Sequence, residues 1–247
     1  MGTAPRTTLI TGAGGGIGRA LCAEFKGDGY IVIATDVIRD DTVDCDHFVE
    51  ADLKKLCHDE AAIQDFKRQL RLPDCGLSVL VNNAAVQVLN ATESISIQDW
   101  RDTLDVNLLA PFLLAQTLLV ELEKKSGSVI NIGSVHAMAT KPGFVCYATS
   151  KAALNGLGRA LAVDLGNRVR VNTINPAAVA TPMLLDGFKG QDEQYELLAS
   201  MHPLGRIAEP AEIAKVALFL ASDLAAFMTG ASVNADGGIL SRLYDPE

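Results

Sequence analysis

The chain has 247 residues, 49% of them hydrophobic and 21% charged, a globular composition that excludes disorder as the main state. Thirty acidic against 21 basic residues give a net charge of −9, which repels phosphate backbones and anionic membrane surfaces, so no nucleic acid or membrane partner is expected. The five cysteines (Cys22, Cys45, Cys57, Cys75, Cys146) are odd in number and form no CxxC, which suits reduced thiols in a cytoplasmic protein without a zinc site.

No basic segment followed by an apolar run opens the chain, so no secretory signal is expected. Residues 7–11 are a short apolar, β-branched run that predicts a strand. Glycines cluster from Gly12 to Gly18, and a helical pattern follows through Phe25, ended by Gly27 and Gly29. Residues 30–35 predict a second strand that reaches Asp36. Residues 47–49 predict a third, followed by a helix over 54–70. Residues 77–81 form the next strand and end in Asn82-Asn83-Ala84-Ala85. Ser96 is a good N-cap, with Asp99 in the first turn of a helix expected to continue to about Lys125. The apolar stretch 108–120 within it is interrupted by Pro111, Gln116 and Thr117, too short to span a bilayer.

Residues 128–132 predict a strand, 146–165 a helix, and 168–174 a strand ended by Asn175-Pro176. An irregular segment then carries Met183, Leu184, Leu185 and Phe188. Glu209 opens a helix to about Leu220, and 231–234 is a last strand. Strands and helices alternate throughout, with no linker and no repeat. The expectation is an α/β fold, a Rossmann-type doubly wound parallel sheet, in one domain over 1–247.

Between the first strand and helix, the glycine turn allows a backbone to approach a pyrophosphate closely, with the helix N-terminus offering free N–H groups. Its spacing is G-x-x-x-G-x-G rather than G-x-G-x-x-G, because position 17 is Ile. Asp36 ends the second strand, where a carboxylate can accept from both hydroxyls of an adenosine ribose. A 2′-phosphate beside that carboxylate would be repelled, and no Lys or Arg lies between Gly12 and Gly18. The expected cofactor is NAD. Further on, Tyr147 and Lys151 are four residues apart and share a helix face, opposite Ser134 at the end of a strand.

Taken together, Thr11-Gly12-x-x-x-Gly16-x-Gly18, Asn82-Asn83-Ala84, Asn107, Ser134, Tyr147-x-x-x-Lys151 and Asn175-Pro176 resemble the short-chain dehydrogenases/reductases, over nearly the whole chain. The resemblance implies roles. Tyr147 would be the general acid/base and Lys151 the group that lowers its pKa and holds the nicotinamide ribose. Ser134 would bind the substrate oxygen, and Asn107 a water in a proton relay. It implies cofactor contacts from Gly12, Gly15, Gly16, Ile17, Gly18 and Asp36, from Asp52 and Leu53 near the adenine, from Asn83 and Ala84, and from Pro176, Val179 and Thr181. Two departures add a methyl each: Ala85 and Ala177 stand where the family has Gly. It also implies a homotetramer, for which the helices from Gln98 and Cys146 are apolar enough to spare a face.

The chemistry fits these residue types. A phenol titrates near pH ~10, and lowering it to about 7 takes roughly 4 kcal/mol. One ammonium about 4 Å away, at an effective dielectric of about 20, is worth that much. The substrate pocket is expected to draw on Gln87, His136, Phe144 and Met183, with 182–206 as a lid. Most of its lining is apolar, which suits a secondary alcohol or ketone. Gln87 with His136 is similar to the 3-hydroxybutyrate dehydrogenases, which carry a lysine where Phe144 stands here. A 3-hydroxy acid therefore stays open as a variant. Two further alternatives are an NADPH-dependent 3-oxoacyl reductase, against which Asp36 weighs, and a dinucleotide-binding sensor without turnover, against which the intact Ser134, Tyr147, Lys151 and Asn107 set weighs.

Overall fold

The computed structural model describes residues 5–243. β1 (Thr7–Thr11) is buried along its whole length and leads through the glycine turn into α1 (Gly16–Gly27). β2 (Ile31–Asp36), β3 (His47–Glu50), α2 (Leu53–His58), α3 (Glu60–Gln69) and β4 (Val79–Asn82) follow. Then come α4 (Ile97–Leu104), α5 (Ala110–Thr117), α6 (Leu119–Glu123), β5 (Ser128–Ile132) and α7 (Val145–Leu165). The chain continues through β6 (Arg170–Pro176), α8 (Pro182–Gly187), α9 (Asp192–Met201), α10 (Pro210–Ala221) and β7 (Ser232–Ala235).

One seven-stranded sheet, in the order β3-β2-β1-β4-β5-β6-β7, has every neighbouring pair parallel. This is the Rossmann-type arrangement the alternation predicts. Buried strands alternate their side chains between two cores, as a period of two requires. Ile10, Val79, Val81, Ile130 and Ile174 face α1 and α10. Leu9, Leu80, Val129 and Val171 face α2, α3, α5 and the end of α7. Strand order reverses between β1 and β4, so their carboxyl ends part and open a crevice there. Thr11, Asp36, Asn82, Ile132 and Pro176 all end strands on that edge.

Three expected elements differ. The helix over 54–70 is interrupted at Asp59, whose extended backbone (φ −136°, ψ 102°) lets its carboxylate cap α3 through Ala62 N. The helix expected to run to Lys125 contains a π-helical turn, Asp105–Leu109, and ends α5 at Leu118 (φ −102°, ψ 10°). The segment expected to be irregular holds α8 and α9. Thr181 caps α8 and Pro182 occupies its first turn, a good start signal. Neither helix buries a residue, so neither carries the apolar periodicity that identifies a helix in sequence.

Candidate active site

The glycine turn is shaped by what lies against it. Gly12 has φ +64°, and a Cβ there would stand 2.7 Å from Ala84 Cα. A Cβ on Gly18 would stand 2.1 Å from Gly12 O. The turn is sewn to β4. The Thr11 hydroxyl accepts from Asn83 N and Ala84 N at 3.0 Å each, while Asn83 Nδ2 donates to Thr11 O (2.9 Å) and Gly12 O (3.0 Å). Asn83 and Ala84 thus meet the turn, and Thr11 is the hydroxyl that joins them. α1 begins at Gly15 with no side-chain cap and no acid in its first turn. Its first N–H groups and positive dipole end therefore suit an anionic group such as a pyrophosphate.

Asp36 closes the turn. Its Oδ2 accepts from Gly14 N at 2.9 Å and its Oδ1 from Val37 N at 2.7 Å, which leaves further lone pairs on both oxygens. The nearby bases are taken. Arg19 pairs with Asp40 and donates to Thr42 Oγ1 (2.9 Å) and Gly14 O (3.0 Å); Arg39 donates to Asp41 Oδ1 at 2.7 Å. Asp52 caps α2 through Lys54 N (2.9 Å), and Leu53 is buried in the core beneath it. Of this pair, then, only Asp52 keeps its side chain exposed.

On the other side of the crevice, Gly16 meets the start of α8: its Cβ would stand 2.8 Å from Thr181 Cβ. Thr181 Oγ1 accepts from Leu184 N at 3.3 Å. Val179 is buried and bridges to Ala208, which ties the segment after Pro176 to the loop before α10. Met183 is exposed on α8, and Gln87 is exposed on the loop after β4. Among the described residues, no hydrogen bond joins Gln87 to Ser134, His136 or Tyr147.

Ser134 follows β5 and is buried. Its N–H donates to Asn175 Oδ1 (3.1 Å), and its Oγ accepts from His136 N (3.1 Å), which leaves the hydroxyl proton free to donate. Tyr147 stands on the first turn of α7. Burial pushes its pKa up, and the Ser134 hydroxyl beside it draws it partly back. Lys151, one turn on, is buried and donates to Ile132 O at 2.7 Å, with its ammonium 5.6 Å from the Tyr147 ring centre. Burial lowers its pKa to about 8.

The ammonium donates to a strand-end carbonyl, and at the Tyr147 phenol burial acts against the neighbouring Ser134 hydroxyl and outweighs it. Asn107 sits in the π-helical turn. Its Oδ1 accepts from Val86 N (2.7 Å), and its Nδ2 donates to Val86 O (2.9 Å) and Ser150 Oγ (2.9 Å). Its side chain fastens the post-β4 loop to α7, next to Lys151, with both amide protons used in doing so. That anchoring follows from tertiary packing and leaves no mark in the sequence.

His136 and Phe144 complete the site. Their rings stack at 4.3 Å and 3°, and each meets Tyr147 edge-on, at 5.9 and 6.2 Å. His136 Nδ1 lies 2.9 Å from Thr140 Oγ1, and Lys141 Nζ lies 5.0 Å from the Phe144 ring centre.

Known proteins resemble this chain over its full extent. A family profile described as enoyl-(acyl carrier protein) reductase matches residues 12–240. Protein FixR of Bradyrhizobium diazoefficiens is 38% identical over 249 residues, 95% of this chain and 86% of its own. D-threitol dehydrogenase of Mycolicibacterium smegmatis is 34% identical over 242 residues, 94% of this chain and 92% of its own. The ligand-free structure of Thermoplasma acidophilum aldohexose dehydrogenase superposes with a TM-score of 0.88 at 30% identity, covering 98% of both chains. The chain belongs to the short-chain dehydrogenase/reductase family, whose members are oxidoreductases that bind a nicotinamide dinucleotide.

Proposed function

We propose that the protein is an NAD(H)-dependent oxidoreductase that interconverts a secondary alcohol and a ketone. The observation that carries the choice of cofactor is Asp36 Oδ2, 2.9 Å from Gly14 N. A carboxylate held there accepts hydroxyl donors and repels a 2′-phosphate. The glycine turn with the uncapped start of α1 would hold the pyrophosphate, Asp52 would border the adenine, and Pro176, Val179 and Thr181 would border the nicotinamide. When bound, the oxidised dinucleotide supplies a hydride acceptor and a positive charge beside Tyr147.

Within that frame Tyr147 takes the proton from the alcohol oxygen, and Ser134 donates its free hydroxyl proton to the same oxygen. In the cofactor-free protein the phenol is held in its neutral form by burial. Proton release therefore depends on added positive charge, which the Lys151 ammonium one helical turn away and the oxidised dinucleotide would supply. Residues 182–206, with their exposed helices α8 and α9, serve as a lid over the crevice. Sugar and polyol names among the relatives, D-threitol and aldohexose dehydrogenases, support a small hydroxylated substrate. Exposed Leu224 and Phe227 beyond α10 and exposed Val163 on α7 support assembly into a homotetramer.

The test is a comparison of kcat/KM for NAD and NADP with a panel of secondary alcohols, in wild type and Tyr147→Phe. NAD is expected to be preferred by at least tenfold. The variant should lose on the order of a hundredfold or more in turnover while still binding NAD. A preference for NADP, or near-normal turnover without the phenol, overturns the reading.

A further inference from the structure

We propose that His136 reads a second hydroxyl on the carbon next to the reacting one, so that the substrates are vicinal diols and the matching α-hydroxy ketones. The inference rests on the oxidoreductase reading of the Ser134–Tyr147–Lys151 site. Its starting point is how firmly the ring is held. The backbone N–H of His136 donates to Ser134 Oγ, which ties the residue to the group that meets the reacting oxygen. Stacking on Phe144 at 4.3 Å and 3° fixes the plane of the ring. Nδ1, 2.9 Å from Thr140 Oγ1, fixes its rotation. Among the described residues Nε2 has no partner, and the ring lies edge-on to Tyr147 with 5.9 Å between centres. The nitrogen is not sealed in the interior, so a ligand can reach it, and its direction is already set by the ring's other contacts.

The ligand's chemistry follows from the state of the imidazole. Burial, and then the charge of Lys141, disfavour its protonated form. A neutral imidazole offers one donor or one acceptor, according to tautomer, and that complements a hydroxyl or a carbonyl. A carboxylate instead requires a cation to offset its lost hydration. Lys141 already lies over the Phe144 ring, and Phe144 itself fills the place where a second cation would stand in the hydroxy-acid alternative. Ser134 and Tyr147 both meet the reacting oxygen. Nε2 is then the polar atom left for the neighbouring one, while the Phe144 ring offers an apolar wall.

The balance is simple. The C–H electron pair of one carbinol leaves as hydride to the oxidised nicotinamide, and its hydroxyl proton passes to Tyr147. The adjacent hydroxyl, held by His136, is unchanged. A vicinal diol and oxidised dinucleotide give an α-hydroxy ketone, reduced dinucleotide and a proton.

The experiment measures kcat/KM with 2,3-butanediol, 2-butanol and 3-hydroxybutyrate in wild type, His136→Phe and His136→Gln. Phenylalanine keeps the stacking ring and removes both nitrogens; glutamine restores a neutral hydrogen-bonding group. Wild type should prefer the diol over 2-butanol by about tenfold or more, the scale of one well-formed hydrogen bond. The ratio should collapse in His136→Phe and recover in part in His136→Gln. Calorimetric binding of the diol to Tyr147→Phe, with and without His136→Phe, should show the same loss without any turnover. An unchanged ratio in His136→Phe, with both alcohols falling together, would mean a purely structural role and overturn the proposal. So would a preference for 3-hydroxybutyrate or for 2-butanol. Failure to oxidise any of the three while NAD is bound overturns the proposed function, and this reading of His136 falls with it; an unchanged ratio with turnover intact overturns the His136 reading alone.

Discussion

Lys151 carries its charge into the protein interior. Its ammonium is buried with one recorded hydrogen bond, to Ile132 O, and burial lowers its pKa from 10.5 to about 8. Below pH ~8 both the folded and the unfolded chain carry the proton, and burying the charge costs about 3 kcal/mol of stability. Between about 8 and 10.5 the folded state has lost the proton and the unfolded state still holds it, so this cost fades as pH rises. Lys151→Met removes the charge and keeps the volume. Denaturant unfolding at pH 7 should find the variant about 1–2 kcal/mol more stable, once the unpaired Ile132 carbonyl is allowed for, with the gap closing by pH ~10. It should have no measurable turnover. A variant less stable than wild type at pH 7 would mean that the ammonium stabilises the fold. Sequence made the Tyr147–Lys151 pairing legible, because i,i+4 spacing puts both on one helix face. It could not show the direction of the ammonium, which depends on where the β5 carbonyl ends.

At the scale of elements, the glycine turn and α1 act as one unit. Gly18 lies where a Cβ would stand 2.1 Å from Gly12 O and 2.8 Å from Ala13 Cα, both backbone. Gly18→Ala must therefore push the turn apart, at a cost of about 2 kcal/mol or more, and should weaken dinucleotide binding at least tenfold. Gly27, at the other end of the same helix, would meet nothing within 4 Å, and Gly27→Ala should leave both quantities within error. Calorimetric titration and thermal melts on the two variants check the contrast; equal effects would remove the turn from the cofactor site. The turn was readable because glycine is demanded by backbone contact alone. The short helices of the lid were not, since α8 and α9 bury no residue and so leave no periodic signal. The π-helical turn at Asn107 escaped for a related reason: its side-chain anchor, Val86, lies 21 residues away.

Over the whole molecule, both sheet faces are covered by helices, and exposed apolar side chains on α7 and beyond α10 are left without cover. Phe227 is fully exposed, as Leu224 and Val163 nearly are. In the proposed tetramer these positions are covered by other copies. Phe227→Asp should shift the mass seen by light scattering from four copies toward smaller species and lower the melting temperature through lost assembly. Wild type sedimenting as a monomer at micromolar concentration would rule that assembly out.

What the sequence by itself determined was the alternation of buried strands and helices, and hence the parallel sheet and the carboxyl edge on which Asp36, Ser134, Tyr147 and Lys151 meet. Those features follow from local periodicity and from the steric needs of glycine, and both are written residue by residue. The tertiary structure alone decided that Thr11 and Asn83 sew the turn to β4, that the Lys151 ammonium donates to Ile132 O, and that His136 is locked between Thr140 and Phe144 with one nitrogen to spare. Each of these depends on the distance between elements far apart in the chain, which no local pattern encodes.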